Sequence, residues 1–293
     1  MRITAMPTPA VSFEVFPPRN VDAAFKLWDT AQALAPLAPR FFSVTYGAGG
    51  TTRDLTHDAA HVLARTSGLP VAGHLTCVGA SRADTLAVAK GYAEIGVTDI
   101  VALRGDPEGG ADTFTPHPDG FQDSCELITA LAETGTFNIR VGAYPDVHPE
   151  AADAQANVNW LKRKFEAGAD EAITQFFFDA DSFLRFRDAC AKAGIDKPVT
   201  PGILPIVNWK SARSFAQRCG TPIPDWLGQA FDAALRDSRH DLLATALCTE
   251  MCSKLVDEGV DALHFYTLNR PDLTRNVCRA LGVMPQIALS DVA

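Results

Sequence analysis

Short runs of β-branched and aromatic residues recur along the chain, each followed by a longer stretch in which apolar residues return every three or four positions. The runs are VSFEVF from Val11, FFSVTY from Phe41, VAGHLTC from Val71, DIVALRGD from Asp99, IRVGAY from Ile139, EAITQFFF from Glu171, PVTPGIL from Pro198 and ALHFYT from Ala262. Helical spacing marks AAFKLWDTAQAL, RDLTHDAAHVLA, RADTLAVAKGYAEIG, SCELITALAET, ANVNWLKRKFEAG and DSFLRFRDACAKAG between them. Gly68, Gly96, Gly168, Gly194 and Gly259 each stand between a helical stretch and the next run, where glycine ends a helix in the left-handed conformation without a Cβ penalty. Eight alternations of buried strand and helix predict a (β/α)8 TIM barrel, an α/β fold spanning residues 1–293 as one domain, with an open doubly wound sheet as the alternative.

Polar residues sharpen this picture because they gather at the C-terminal halves of the runs: Glu14, Thr45, His74, Arg104 with Asp106, Tyr144, Gln175, and Asn269 with Arg270. In a barrel those ends converge on one face, where active sites are built. The spacing between runs grows after the fourth and the seventh, which predicts extended connections there. The first of these, RGDPEGGADTFTPHPDGFQD from Arg104, is rich in Gly, Pro and Asp and reads as a functional loop.

Composition narrows the function classes. The 293 residues are 47% apolar and carry a net charge of −9, so no global positive field exists to hold a nucleic acid. Cysteines at 77, 125, 190, 219, 248, 252 and 278 are odd in number and form no CxxC, which argues against a disulfide framework. No stretch reaches the roughly 18 apolar residues of a membrane span and no secretory leader is evident, so the expected location is the cytoplasm.

Several residues are candidates for chemistry. Glu14 lies inside an apolar strand, and burial in a dry cavity predicts a raised carboxyl pKa, suited to a general acid; an outward ion pair is the other reading. LRGD, from Leu103, sets Arg104 and Asp106 at a strand end with Gly105 between them, either to orient a polar ring or as an internal ion pair. YGAGGTT, from Tyr46, offers backbone N–H groups to a phosphate or is an ordinary turn. His57 and His61 have the spacing of metal ligands, yet Asp58 replaces the glutamate of HExxH and no third ligand is evident, so no metal is predicted. Cys248 and Cys252 read as core thiols, and the run Lys162, Arg163, Lys164 as a solvated helix face.

Together the segments resemble the bacterial methylenetetrahydrofolate reductase family. SFEVFPPR, FFSVTYGAGG, HLTCVG, LRGD, AYPDVHPEA, LKRKFEAGAD, ITQFFFD, PGILPI and HFYTLNR occur in that family's order from Ser12 to about Gly282. The resemblance implies a flavoprotein barrel that binds FAD non-covalently and works by ping-pong. NADH, with NADPH as the alternative, reduces the flavin, which then reduces 5,10-methylenetetrahydrofolate to 5-methyltetrahydrofolate in one-carbon metabolism, toward methionine biosynthesis. It places Glu14 as the general acid and Asp106 as the carboxylate beside the flavin. Thr45, Tyr46, Ala48, His74, Arg104, Gly105, Asp106, Tyr144, His148, Asn157 and Lys164 fall on its FAD positions. Glu14, Thr45, Asp106, Gln175, Phe215 and Arg270 fall on its substrate positions.

The chain departs from the family pattern at Asp123, Ser124, Asn157 and Trp160, all outer FAD positions. It ends soon after the barrel, so no adenosylmethionine-binding regulatory domain is expected. The expected partners are small molecules and further copies of the same chain, with neither nucleic acid nor membrane. A proline dehydrogenase-like flavin barrel, a non-catalytic flavin or folate binder and a metal-dependent barrel hydrolase are the competing readings.

Overall fold

The computed structural model describes residues 8–47, 53–106 and 114–286. The first half runs β1 (Ala10–Val15), α1 (Val21–Leu34), β2 (Phe42–Val44), α2 (Arg53–Ser67), β3 (Val71–Thr76), α3 (Arg82–Glu94), β4 (Asp99–Leu103) and α4 (Ser124–Glu133). The second continues with β5 (Asn138–Ala143), α5 (Ala154–Glu166), β6 (Glu171–Thr174), α6 (Ala180–Lys192), β7 (Val199–Thr200) and β8 (Gly202–Ile203). Then come α7 (Trp209–Cys219), α8 (Asp225–Arg236), α9 (His240–Asp257), β9 (Ala262–Tyr266) and α10 (Pro271–Ala280). All strand pairs are parallel, in the order β7-β6-β5-β4-β3-β2-β1-β9-β8.

The eight expected runs become nine strands because the seventh is broken at Pro201. Proline has no N–H for the ladder, and the next N–H, of Gly202, bonds to Thr174 Oγ1 at 3.0 Å instead of to a neighbouring backbone. β7 holds β6 while β8 holds β9, so the two halves of one interrupted strand close the barrel. A Cβ on Gly202 would stand 2.1 Å from the Thr174 carbonyl, so the close approach needs glycine. The long connection after this strand holds α7 and α8, packed on their own apolar cluster around Trp209, Leu227 and Phe231.

The main core lies between sheet and helices, where Phe13, Phe42, Ile100, Val141 and Phe265 are buried. The N-terminal end of the barrel interior is filled by charge. Glu171 accepts two hydrogen bonds from Arg40, at 2.8 and 2.9 Å, one from Arg140 at 3.1 Å and one from Thr200 at 2.6 Å. Arg140 also pairs with Asp99 and lies 3.9 Å from the ring centre of Phe41, which caps this network from above. Buried charges persist only when partnered in this way.

Candidate active site

Strand alternation decides which side chains look inward. On β1, Val11, Phe13 and Val15 join the helix-covered core, which leaves Ser12 and Glu14 facing the barrel axis. His264 of β9 stacks on Phe41 with ring centroids 5.7 Å apart, and His74 of β3 completes the group. Glu14 Oε2 lies 3.3 Å from Nε2 of His74 and 3.8 Å from Nε2 of His264. Through its other nitrogen His264 shares a 2.8 Å hydrogen bond with Ser12 Oγ. The two Nε2 atoms thus bracket one carboxylate oxygen in a poorly solvated space.

The raised carboxyl pKa expected for Glu14 is reversed. Burial, the largest single influence, does push the carboxyl up, but contacts and charges from His264 and His74 together outweigh it and hold the group at about 2. A single strand shows a lone buried acid; the sheet brings it two imidazoles.

From this mouth a cleft of about 500 Å³ opens over the ends of β3, β4 and β5 and runs along α5. Tyr46, Arg104, Gly105, Asp106, Tyr144, His148, Asn157 and Lys164 all line it. Lys164 is not on a solvated face: it is buried, donates from Nζ to the Gly142 carbonyl at 2.6 Å, and is lowered by burial to about 8. Arg104 forms a two-pronged pair with Glu150 at 2.6 and 2.9 Å, and its guanidinium lies 5.0 Å from the ring centre of Phe114. Gly105 has φ +89°, and a Cβ there would meet Val78 at 2.6 Å, so only glycine carries Arg104 and Asp106 in this turn. Asp106 is exposed at the lip.

Other expected residues are partly committed elsewhere. Tyr46 accepts from Arg53 Nε at 3.0 Å, and the Tyr144 ring meets His148 edge to face at 4.4 Å. Burial lowers the His148 pKa and raises that of Tyr144. Asn157 donates to the carbonyls of Tyr144 and Asp146 and accepts from the His148 N–H, so it staples the loop after β5 to α5. Thr45 follows β2, its N–H bonded to the Val15 carbonyl. Gln175 accepts from the Phe176 N–H, and Phe215 stacks on Phe176 at 5.1 Å. Arg270 is not brought into the cleft: it heads α10 and lines a separate groove with Lys26 and Asp29. Ala48 lies outside the described residues.

Ser12, His264, Glu150 and Thr76, which no motif singles out, also belong to the site. The first two carried a signal, since Ser12 with Glu14 and His264 with Tyr266 are polar pairs at period two inside apolar strands. Thr76, only 7% exposed, lines the cleft with a hydroxyl that has no hydrogen-bond partner among the described residues. Asp123, at a departure from the family pattern, caps α4 by accepting from the N–H groups of Cys125 and Glu126. Among the described residues no group of three or more His, Cys, Asp or Glu is placed to hold a metal ion, and no helix is long and apolar enough to cross a membrane. His57 stacks on Tyr92, and Cys248 and Cys252 lie in the core.

Known proteins are similar to this chain. The 5,10-methylenetetrahydrofolate reductase of Pectobacterium carotovorum subsp. carotovorum is 45% identical over 281 residues, covering 95% of this chain and 92% of its own. That of Escherichia coli strain K12 is 45% identical over 276 residues, covering 94% and 91%. The plant protein methylenetetrahydrofolate reductase (NADH) 1 of Arabidopsis thaliana is 33% identical, covering 98% of this chain and 51% of its own. Among solved structures, an uncharacterized protein from Clostridium thermocellum that binds two copies of 5-methyl-5,6,7,8-tetrahydrofolic acid superposes with a TM-score of 0.59 at 10% identity, over 95% of this chain and 96% of that one. This last likeness is one of fold, and it agrees with the barrel. The profile of the family described as methylenetetrahydrofolate reductase matches residues 2–282, and with these relatives it shows that the chain belongs to the methylenetetrahydrofolate reductase family.

Proposed function

We propose that this protein reduces 5,10-methylenetetrahydrofolate to 5-methyltetrahydrofolate, with FAD as a non-covalent cofactor, NADH as the preferred donor over NADPH, and the two reactants taking turns at one site. The observation that carries the reading is Glu14, an inward carboxylate flanked by two imidazoles at the head of a barrel whose cleft holds a buried lysine. The relatives' names support the reaction.

The cleft fits a flavin dinucleotide. Lys164 and Arg104 supply cationic donors for a diphosphate, the unpartnered Thr76 hydroxyl awaits a polar edge, and Gly105 lets a flat ring approach the backbone. When bound, FAD supplies a reversible two-electron carrier between donor and folate.

The chain's own residues then bind, orient and move a proton. Glu14 directs a proton at the folate nitrogen whose protonation opens the five-membered ring. His74 and His264 stand as the nearest proton store, and Ser12 fixes the orientation of His264. The low Glu14 pKa keeps the resting carboxylate ionised, so the proton it delivers has to reach it during turnover. Asp106, exposed at the lip, places negative charge where a cationic folate intermediate would form. Gln175 and Phe215 hold the ring system, and Arg270 meets the carboxylate tail once the bound substrate reaches its groove. Residues 1–293 act as one catalytic barrel in the cytoplasm. Assembly into a homo-oligomer is supported by the exposed stripe Val21, Phe25 and Trp28 on α1.

The test is anaerobic. Purified protein should show a flavin spectrum that NADH bleaches and methylenetetrahydrofolate restores. A flavin bleached by NADH but not restored by the folate would overturn the substrate; absence of flavin binding would overturn the cofactor.

A further inference from the structure

We infer that Trp160 is a stacking platform for the adenine of the dinucleotide, which makes the outer end of the cleft a base-recognition subsite; the inference rests on the flavin reading above. Helical periodicity sets Ala156, Asn157, Trp160, Leu161 and Lys164 on one face of α5, and all of them line the cleft. Lys164 marks the deep end of this row and Trp160 lies a turn nearer the helix start. The cleft lining that includes Trp160 also includes Ala151, Ala152 and Ala156, whose single-carbon side chains leave room beside a broad indole. That combination suits a flat aromatic ring and offers little to a sugar or a carboxylate.

The indole is also braced. The Arg163 guanidinium lies 4.4 Å from the Trp160 ring centre, and Arg163 Nη2 lies 3.8 Å from Asp123 Oδ2, on the residue that caps α4. Asp123 and Trp160, which look unrelated in sequence, thus belong to one assembly at the outer end of the cleft. With the Lys164 amine a turn deeper along α5, the order along the cleft is cation and then aromatic ring, which matches the phosphate and base of a nucleotide.

The experiment titrates apoprotein with FAD, FMN and ADP, using flavin fluorescence for the first two and calorimetry for the third. Trp160→Ala should weaken FAD and ADP about 10- to 100-fold, the usual worth of one base on one aromatic ring, while FMN, which lacks adenine, stays within about twofold of wild type. Trp160→Phe should restore most of the loss, and both variants should melt like wild type because the indole is only half-buried. Unchanged FAD affinity in Trp160→Ala, or FMN weakened as much as FAD, would overturn the platform. If wild type binds neither flavin but binds ADP in a Trp160-dependent way, the flavin reading falls and the base subsite stands. No binding of any of the three overturns both.

Discussion

Glu14 and His264 face each other across the seam between β1 and β9, with 3.8 Å between carboxylate oxygen and imidazole nitrogen. The pair ties protonation to stability. Glu14 is held at about 2 against an ordinary 4.5, so its stabilising contribution is complete above pH 4.5 and is lost as pH falls toward 2. Over that window wild type should lose on the order of 3 kcal/mol relative to Glu14→Gln. Denaturant unfolding at stepped pH reads this directly, and parallel profiles for the two proteins would contradict the pairing.

The same substitution separates the half-reactions. Glu14→Gln should still be bleached by NADH, while reoxidation by methylenetetrahydrofolate slows about 10²- to 10⁴-fold, the range of general acid catalysis. Stopped-flow absorbance of each half-reaction is the measurement, and wild-type reoxidation would remove Glu14 from its role.

Lys164 sets a second pH dependence. Its amine is charged below about 8 and loses its proton above. FAD binding by apoprotein should therefore weaken as pH rises from 7 to 9, and Lys164→Met should bind more weakly with a flat profile. Equal pH slopes in both proteins would place the anion elsewhere.

Glu150 competes with an incoming phosphate for Arg104. The pair is partly solvent-exposed, so Glu150→Gln should cost at most about 1 kcal/mol in stability. The freed guanidinium should tighten FAD several-fold, visible as a lower Kd in a fluorescence titration at low salt. A weaker or unchanged Kd would mean that Arg104 does not reach the cofactor.

The charged floor is expected to be structurally costly to break. Glu171→Ala leaves Arg140 buried with Asp99 as its one acidic partner among the described residues, and a loss of about 3 to 5 kcal/mol follows. Urea midpoints of purified variant and wild type give the answer.

The periodicity of the chain was enough to place every barrel strand, because buried parallel strands are continuous apolar runs. Gly68, Gly96, Gly168, Gly194 and Gly259 all take positive φ at helix ends, as their spacing implies. The break at Pro201 was visible as a proline inside a run, but which neighbour takes over the Gly202 N–H depends on Thr174 in another strand. The long gap after the seventh run is legible as length only; its two added helices are held by a cluster around Trp209 and Phe231 that no local pattern announces. At the site, Glu14 was identifiable and the sign of its pKa was not. That sign depends on His74 and His264, which reach Glu14 through sheet order and register. Arg104 and Glu150 were both readable as charges, yet their pairing is a property of two loops meeting across the cleft.

The ion-paired floor turns the barrel into a vessel with one opening. Phe41 sits over Arg140, His264 sits over Phe41, and both rings are almost wholly shut off from water. A proton exchanging between Glu14 and bulk solvent must then use the mouth through which the reactants enter. A seated reactant is thereby expected to seal its own proton donor, so that the proton delivered in that turnover is one already inside the barrel when the reactant binds.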